Sequence, residues 1–231
     1  MRFQRLEALI GADNLDKLHS KTVMICGIGG VGSYAAEALA RSGVGHLVLV
    51  DSDIVDITNI NRQIIALDST LNMPKVDAMA ERIKDINPEA LVTPLKVFID
   101  ESSITMLLDY RPDYVIDAID SVSFKCLLIS SCIKNNIPII SSMGFALKLH
   151  PELIEIAKMA KTEIDSLAKE VRYRLRKMNV SLDFPVVYSK EIPKTSFDLS
   201  VKLGSSAFVP PAAGLTLASY VINDFLERKL D

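Results

Sequence analysis

The fold of this 231-residue chain is decided by the stretch Thr22-Val23-Met24-Ile25-Cys26-Gly27-Ile28-Gly29-Gly30-Val31-Gly32. Its first five residues form an apolar run that predicts a buried strand, and the glycines that follow predict a tight turn. A helical pattern continues over residues 33–42, and a second apolar run over 46–50 is closed by Asp51. The order strand, glycine-rich turn, helix, strand is typical of a nucleotide-binding α/β fold.

Four glycines of the turn, Gly27, Gly29, Gly30 and Gly32, allow the backbone to bend sharply and to approach a phosphate closely. The free N–H groups that begin the next helix favour the same anion. Asp51 lies 19 residues after Gly32, near the spacing at which a carboxylate binds ribose hydroxyls. The pattern therefore predicts a nucleotide site; the alternative is a turn with a purely structural role.

Polar residues after Asp51 distinguish between possible nucleotides. They are Asp53, Lys75 and the run Thr58-Asn59-Ile60-Asn61-Arg62-Gln63. An NAD-dependent oxidoreductase needs no such Arg and Lys set, whereas an enzyme that breaks a nucleotide phosphate bond needs positive charge to stabilise the departing pyrophosphate. Pro74 suits the first turn of a helix, which places Lys75 at the positive end of that helix, where an anion is the fitting partner. We therefore expect ATP, and not NAD, as the ligand.

Taken together, these motifs resemble the ubiquitin-activating-enzyme superfamily of adenylating enzymes. That family has a G-x-G-G-x-G turn, an acid closing the second strand, T-N-x-N-R-Q and a downstream Lys, and the match is close over residues 1–142. Within the superfamily, residues 37–45, 82–88 and 117–121 are similar to the bacterial tRNA threonylcarbamoyladenosine dehydratases. The resemblance implies ATP-dependent adenylation of the threonyl carboxylate of a modified adenosine in tRNA, followed by ring closure.

The resemblance also implies roles for single residues. Nucleotide contacts are expected from the turn glycines and from Asp51, Asp53, Asn59, Asn61, Gln63 and Lys75. Catalytic roles are expected for Arg62, Lys75, Asp120 and Arg5, the last reaching the nucleotide of the partner subunit in a homodimer. Asp120 follows the predicted fourth strand, at the sheet edge where ligands bind, and a carboxylate beside a triphosphate usually holds Mg²⁺. For Asp117 a structural or capping role is an equal alternative.

Composition limits the partners, the metal and disulfide content and the cellular location that can be expected of the protein. The formal net charge is −3, so contact with a nucleic acid must depend on a local basic patch. Three cysteines without a C-x-x-C pair argue against a disulfide framework or a zinc site. The charged N-terminus does not resemble a signal peptide, and no apolar run approaches the roughly 20 residues of a membrane span. We expect a cytoplasmic protein that does not enter a membrane.

Hydrophobic periodicity predicts an α/β fold with a Rossmann-like, doubly wound, largely parallel sheet and an antiparallel C-terminal extension. Helices are expected over residues 3–18, 74–86, 101–109 and 163–178 and at the end of the chain, and further strands over 91–97, 114–116, 137–142, 153–157 and 185–191. Residues 1–142 are interpreted as an ATP-binding adenylation core with an N-terminal helix. Residues 143–231 are interpreted as a substrate-side lobe and a C-terminal helix of the same continuous domain. Small residues in 204–214 permit close backbone packing, with a dimer interface as one use.

A basic face is expected on the helix of residues 163–178. Lys169, Arg172 and Arg176 follow the spacing i, i+3, i+7 and share one side of the helix. In an acidic chain such a face is a candidate contact for the phosphate backbone of tRNA, although basic helix faces are commonly only solvated.

The substrate-side lobe departs from the family pattern. The dehydratases have a glycine-rich turn and then Asp-Pro-Thr, whereas this chain has Phe145 and Ala146 in the turn and His150 in place of the acid. Lys158 stands near a family Asp, and Ser166 stands where a Pro is usual. These changes leave nucleotide chemistry in place but keep the acceptor open, and His150 is either a new acid–base group or a tolerated loop residue.

Three alternatives remain on the sequence alone. One is an adenylating activator of a ubiquitin-like sulfur carrier, which would bring a sulfur-relay partner protein, although many such enzymes carry C-x-x-C zinc ligands. Another is a nucleotide-binding protein that has lost catalysis through the changes in the lobe. The last, an NAD-dependent oxidoreductase, is disfavoured by Arg62 and Lys75. Cys26 lies inside the first predicted strand and is interpreted as a small buried hydrophobe, and neither Cys126 nor Cys132 has the arrangement of basic neighbours that marks a nucleophile. This favours ring closure within one molecule, a reaction that needs no cysteine.

Overall fold

The computed structural model describes residues 2–195 and 203–227 of the chain. Over these residues the strands are β1 (Thr22–Cys26), β2 (His46–Val50), β3 (Leu91–Leu95), β4 (Tyr114–Asp117), β5 (Ile139–Ser142), β6 (Ile154–Lys158) and β7 (Pro185–Ser189). The α-helices are α1 (Gln4–Ile10), α2 (Ala12–His19), α3 (Gly32–Arg41), α4 (Lys75–Ile86), α5 (Ile104–Leu108), α6 (Val122–Lys134), α7 (Ser166–Lys177) and α8 (Val209–Glu227).

All of these strands join one sheet in the order β3-β2-β1-β4-β5-β7-β6. β1 pairs in parallel with β2 and β4, and β5 pairs in parallel with β4 and β7. Among the described strands only β6 runs antiparallel, against β7. The predicted α/β class, with a largely parallel sheet and an antiparallel C-terminal portion, is confirmed. The two predicted parts of the chain share this sheet, because Ser141 of β5 is paired with Val186 of β7.

Helices cover both faces of the sheet because the central strands are apolar on both sides. In β1, Ile25 belongs to the layer beneath α3, α4 and α8, and Met24 belongs to the layer beneath α6 and α7. Both side chains are fully buried. This sandwich leaves the carboxyl ends of the parallel strands as the open edge, where α/β folds bind ligands.

The small residues at the start of α8 pack inside the chain. A Cβ atom at Gly214 would overlap the carbonyl oxygen of Val31 and would lie 3.0 Å from the Cβ of Tyr34. The predicted close backbone approach at this segment is thus made to α3 of the same chain. Neither α8, with 19 residues, nor any other helix in the described part of the chain is long and apolar enough to cross a membrane.

Several element boundaries differ from the prediction. The helix predicted over residues 3–18 is divided at Gly11, whose φ of 86° and ψ of 159° end α1 before α2 begins. The helix predicted from residue 163 begins at Ser166, because the Asp165 side chain caps it by accepting the N–H of Ala168 at 2.8 Å. β3 ends at Leu95, β5 begins at Ile139, and α5 is shorter than predicted at both ends.

Candidate active site

The glycine-rich turn between β1 and α3 uses its glycines in different ways. Gly27 has a φ of 91°, and a Cβ there would lie 2.7 Å from the carbonyl oxygen of Ala118. A Cβ at Gly32 would overlap the carbonyl oxygen of Gly27. The fold therefore requires these two glycines. At Gly29 a Cβ would meet only the Nε2 atom of Gln63, at 3.8 Å, so nothing described in the protein fills the space above that residue.

Asp51 lies directly beneath this turn, at the end of β2. Its Oδ2 atom accepts the N–H of Ile28 at 2.6 Å, and its Oδ1 atom accepts the N–H of Asp53 at 2.8 Å. Burial raises the pKa of Asp51, although the charge of Lys75 and the two N–H groups oppose that shift. The carboxylate is thus held in one orientation at the carboxyl end of the strand, where a ribose-binding acid was predicted.

Lys75 is the first residue of α4 and is almost completely buried. Its Nζ atom lies 2.8 Å from Oδ2 of Asp53, and its N–H donates to the carbonyl oxygen of Asp53 at 3.0 Å. The Asp53 side chain is 66% exposed, so the ion pair has one buried and one open partner. The structure brings both predicted residues together next to Asp51, with the lysine charge already matched by a carboxylate.

The run 58–63 forms a compact loop in which Asn59 holds the backbone. Asn59 is buried, its Oδ1 atom accepts the N–H of Asp56 at 3.2 Å, and its carbonyl oxygen accepts the N–H groups of both Arg62 and Gln63 at 3.0 Å. Asn61 donates from Nδ2 to the carbonyl oxygen of Ser205 at 3.0 Å, which ties the loop to the segment before α8. The side chains of Asn59 and Asn61 are therefore engaged in shaping the loop.

Arg62 is carried by that loop onto the glycine-rich turn. A Cβ at Gly30 would lie 3.2 Å from Cγ and 3.4 Å from Cδ of Arg62, so the alkyl part of the arginine covers the turn. Its guanidinium donates to the carbonyl oxygen of Thr58 and to Oδ1 of Asn61, both at 3.0 Å. Gln63 is buried beside the turn, and its Oε1 atom has no hydrogen-bond partner among the described residues. The side chain of Arg62 thus lies against the turn that was predicted to bind phosphate, with its guanidinium held by the neighbouring loop.

The end of β4 holds a buried ion pair that the sequence did not predict. Lys125 Nζ lies 2.7 Å from Oδ2 of Asp117 and also donates to the carbonyl oxygen of Ser142 at 3.0 Å. Ser141 Oγ donates to the same Asp117 oxygen at 2.5 Å, and the N–H of Ile119 donates to the other at 3.1 Å. Asp117 therefore has the structural role that the sequence left open. The available signal was a single lysine inside the apolar run 124–129.

Asp120 lies three residues beyond β4 and is exposed at the same edge of the sheet as the glycine-rich turn. The hydrogen bond that the N–H of Ile119 donates to the Asp117 carboxylate shapes the segment that presents Asp120. Ser121 occupies the capping position of α6, and its side chain makes no capping hydrogen bond. Arg5 is on α1, exposed, and forms no ion pair with any residue that the structure describes.

A sequence profile of the ThiF family matches residues 3–187. The chain belongs to the ThiF family. Over 98% of its length it is 46% identical to a Bacillus subtilis (strain 168) protein named tRNA threonylcarbamoyladenosine dehydratase, of which it covers 95%. It also resembles crystal structures of E. coli tRNA N6-threonylcarbamoyladenosine dehydratase, TcdA, in complex with AMP and with ATP. Their TM-scores are 0.93 and 0.92 at 35% identity, covering 97% of this chain and 94% and 93% of those chains.

In this ThiF-family chain the lobe that departs from the expected pattern is internally bonded. Lys148 is buried and donates to the carbonyl oxygen of Gly144 at 2.8 Å and to Oδ2 of Asp165 at 3.3 Å. The buried carboxylate of Glu191 accepts the N–H groups of Leu149 at 2.9 Å and His150 at 2.8 Å. The segment after β5 is therefore fixed to β7 and to the start of α7 by buried charges.

The residues singled out in that lobe have ordinary partners. The His150 ring is exposed, and its Nδ1 atom lies 2.8 Å from Oε1 of Glu152. Lys158 forms an exposed ion pair with Asp183. Phe145 is buried in the layer beneath α3, where it contributes packing. These contacts explain how the ThiF-family fold accommodates the changed residues.

All three cysteines are buried and free. Burial raises the pKa of Cys26 and Cys126, and it raises the pKa of Cys132 to about 12. A thiol with a raised pKa is a poor nucleophile at neutral pH, because the thiolate is the reactive form. In this member of the ThiF family the thiols therefore belong to the packed core, in the layer beneath α6 and α7.

The predicted basic face of α7 is divided between two uses. Lys169 and Arg176 are exposed, whereas Arg172 is half-buried and donates from Nη1 to the carbonyl oxygen of Thr162 at 2.9 Å. Arg172 thus fastens α7 to the turn before it, and the free part of the face lies around the other two residues.

Proposed function

We propose that the protein adenylates and cyclises N6-threonylcarbamoyladenosine in tRNA, using ATP as its second substrate. The observation that carries this proposal is the position of Arg62 over the glycine-rich turn, since hydride transfer from NAD gives such a cation no task. The likeness to dehydratases over nearly the whole chain, including structures solved with ATP and AMP, supports the same reading.

Each group at the turn has a task in adenylation. The open space above Gly29 admits a phosphate to the backbone N–H groups at the start of α3. Asp51 accepts hydrogen bonds from the ribose hydroxyls. Arg62 and Lys75 stabilise negative charge as the threonyl carboxylate attacks the α-phosphate and pyrophosphate leaves. Lys75 can serve a phosphate by exchanging its exposed Asp53 partner for a phosphate oxygen, which keeps the buried ammonium charge compensated.

Magnesium is the expected companion of the triphosphate. The described residues contain no cluster of three or more His, Cys, Asp or Glu side chains that could hold a metal unaided. Asp120 fits the other arrangement, in which one carboxylate and the phosphate oxygens share a hard cation. When bound, Mg²⁺ would neutralise phosphate charge. The chain itself contributes the exposed carboxylate and the Asp117 network that presents it.

Ring closure follows from holding both reacting groups in one molecule. The acyl-adenylate carbon is attacked by the carbamoyl group of the same nucleoside, and AMP leaves with the carboxylate oxygen that attacked phosphorus. Proximity makes this step favourable without an enzyme nucleophile. The buried thiols with raised pKa values agree with a reaction that uses no thioester.

The proposed active unit is a homodimer. No residue of α1 is buried, and Leu9 on that helix is 81% exposed, so the helix has an apolar surface that a second copy would cover. Arg5 on α1 would then enter the partner's site. Mixing Arg5→Ala with Arg62→Ala chains tests this arrangement, because a heterodimer would contain one intact site. Activity that does not return in proven heterodimers would rule out shared sites.

Mass spectrometry of tRNA nucleosides from a deletion strain tests the function directly. We expect the cyclic nucleoside to be replaced by its open form, heavier by one water. With purified protein, ATP and tRNA carrying the open nucleoside, AMP and the cyclic product should appear in equal amounts. AMP formed only with a ubiquitin-like carrier protein would instead favour the sulfur-carrier alternative. Co-purification would then reveal its sulfur-relay partner. If no AMP forms with either acceptor, the protein binds nucleotide without catalysis.

A further inference from the structure

The helix α7 begins beside the candidate active site. Its capping residue, Asp165, accepts the N–H of Gly144 at 3.1 Å, and Gly144 follows β5 at the carboxyl edge of the sheet. The inner side of α7 is anchored by the fully buried residues Ala168, Val171 and Leu175. The outer side therefore starts at the site and leads away from it along the surface.

Side-chain contacts divide the basic residues of α7 into two groups. Arg172 donates a hydrogen bond to the carbonyl oxygen of Thr162. Arg174 donates from Nε to Glu170 at 2.7 Å and from Nη1 to Ser123 at 2.7 Å, so its charge is neutralised within the fold. These two arginines fasten the helix to its neighbours and are not available to a ligand.

The remaining group is a stripe formed by Lys169, Tyr173, Arg176 and Lys177, here called the α7 stripe. Tyr173 follows Lys169 by four residues, and Arg176 and Lys177 follow Tyr173 by three and four, which places all four on one side of the helix over about 12 Å. All four are exposed, and Tyr173 retains 53% of its surface. Lys177 Nζ lies 4.4 Å from the centre of the Tyr173 ring, and no described carboxylate forms an ion pair with any of the three cations.

We propose that the α7 stripe is the surface that binds the tRNA substrate outside the reacting nucleoside. This inference rests on the proposed function. Three uncompensated cations in a chain of net charge −3 form a local site for phosphates. The exposed Tyr173 ring among them offers a face on which an unpaired base stacks. The geometry assigns backbone contacts to the cations and a base contact to the tyrosine.

The chemistry of the stripe suits RNA better than a membrane. A helix that lies on a lipid surface buries an apolar face among the acyl chains. The apolar face of α7 is already buried against the sheet, and the stripe presents one aromatic ring among charges. A base has the flat π-face that matches this ring, and the helix begins where the modified nucleoside must react.

The test compares two charge-matched triple variants. The stripe variant carries Lys169→Gln, Arg176→Gln and Lys177→Gln, which remove the three cations. The control variant carries Lys84→Gln, Arg111→Gln and Lys134→Gln. These three residues are exposed near the opposite edge of the sheet, where the parallel strands begin. Binding of tRNA with the open modified nucleoside is measured by fluorescence anisotropy over a salt series, with ATP affinity and thermal melts recorded for each protein.

We expect the stripe variant to lose affinity for tRNA. The slope of the logarithm of the binding constant against the logarithm of salt concentration should become shallower by roughly 2–3, since each lost phosphate contact removes about 0.7–0.9. The control should keep the wild-type slope. Tyr173→Ala should weaken binding about 5- to 150-fold, and Tyr173→Phe should retain it, because stacking uses the ring. In turnover the stripe variant should raise KM for tRNA while kcat at saturating tRNA and the Kd for ATP stay unchanged.

Equal affinity and salt slope in the stripe variant and wild type, with wild-type cyclisation intact, would overturn this inference and leave the proposed function standing. An equal loss in the control variant would also overturn it, because binding would then follow net charge alone. A wild-type protein that neither binds nor cyclises the modified tRNA would refute the proposed function and this inference together.

Discussion

The open position at Gly29 allows nucleotide binding to be separated from folding by a single methyl group. Gly29→Ala adds a Cβ whose sole described neighbour is the Nε2 atom of Gln63 at 3.8 Å, an ordinary contact. Gly27→Ala is the matched control on the same turn, because its Cβ would lie 2.7 Å from the carbonyl oxygen of Ala118 at a φ of 91°. The two variants should therefore fail in opposite ways.

The magnitudes follow from these distances. Replacing a glycine without strain stabilises a protein by about 0.4–1 kcal/mol, so Gly29→Ala should leave Tm unchanged or raise it by up to ~4 °C. At Gly27, left-handed strain of about 1–2 kcal/mol adds to overpacking of about 1–3 kcal/mol. A total of about 2–5 kcal/mol lowers Tm by roughly 4–20 °C in a chain of this size.

The assay is thermal melting with and without ATP and Mg²⁺, followed by calorimetry. ATP at 100 times its Kd should stabilise the wild type by about 2.7 kcal/mol, or ~5–10 °C. A methyl group in the phosphate space, at about 1–3 kcal/mol, should weaken ATP binding in Gly29→Ala roughly 5- to 150-fold and shrink that shift. Wild-type ATP affinity in a well-folded Gly29→Ala protein would refute the placement of the phosphate above this glycine.

Further outcomes are expected at four places. Lys125→Met leaves the Asp117 carboxylate buried without its cation. The free energy of unfolding should fall by about 3–5 kcal/mol, which lowers Tm by ~6–20 °C. Adding Asp117→Asn should recover much of this loss. Arg62→Ala should reduce kcat for AMP release about 10²–10³-fold without a matching loss of Tm, and Arg62→Lys should retain part of the rate. A variant with every cysteine changed to Ala should have a lower Tm but should still release AMP at temperatures where it is folded. If the folded variant is inactive and a thioester can be trapped on the wild type, cyclisation without a cysteine is contradicted. Because burial raises the pKa of Asp51, its carboxylate is protonated at a higher pH than an ordinary Asp, so ATP affinity measured by calorimetry should fall early on acidification. Asp51→Asn should bind more weakly and lack that fall.

Much of the fold was predictable because the decisive signals are local. The apolar run 22–26, the glycines after it and the acid at Asp51 specify strand, turn, helix and strand through backbone sterics and burial, which operate over a few residues. The motif around Arg62 carried the family resemblance in the same way. Boundaries were less certain: Gly11 divides a helix that its apolar spacing joined, and Asp165 begins α7 later because its side chain competes for the first N–H groups.

Tertiary structure alone decided which polar groups are free to act. Lys125 and Asp117 are eight residues apart, and the sequence left the role of Asp117 open between the site and the structure; the end of β4 and the start of α6 bury both as an ion pair. Arg172 and Arg176 look equivalent on a helical wheel, yet the turn at Thr162 binds the first and leaves the second open. A sequence fixes which groups share a helix face or a strand end. Which of them keep their charge available depends on partners from distant segments, and these are brought together only when the sheet and its helices pack.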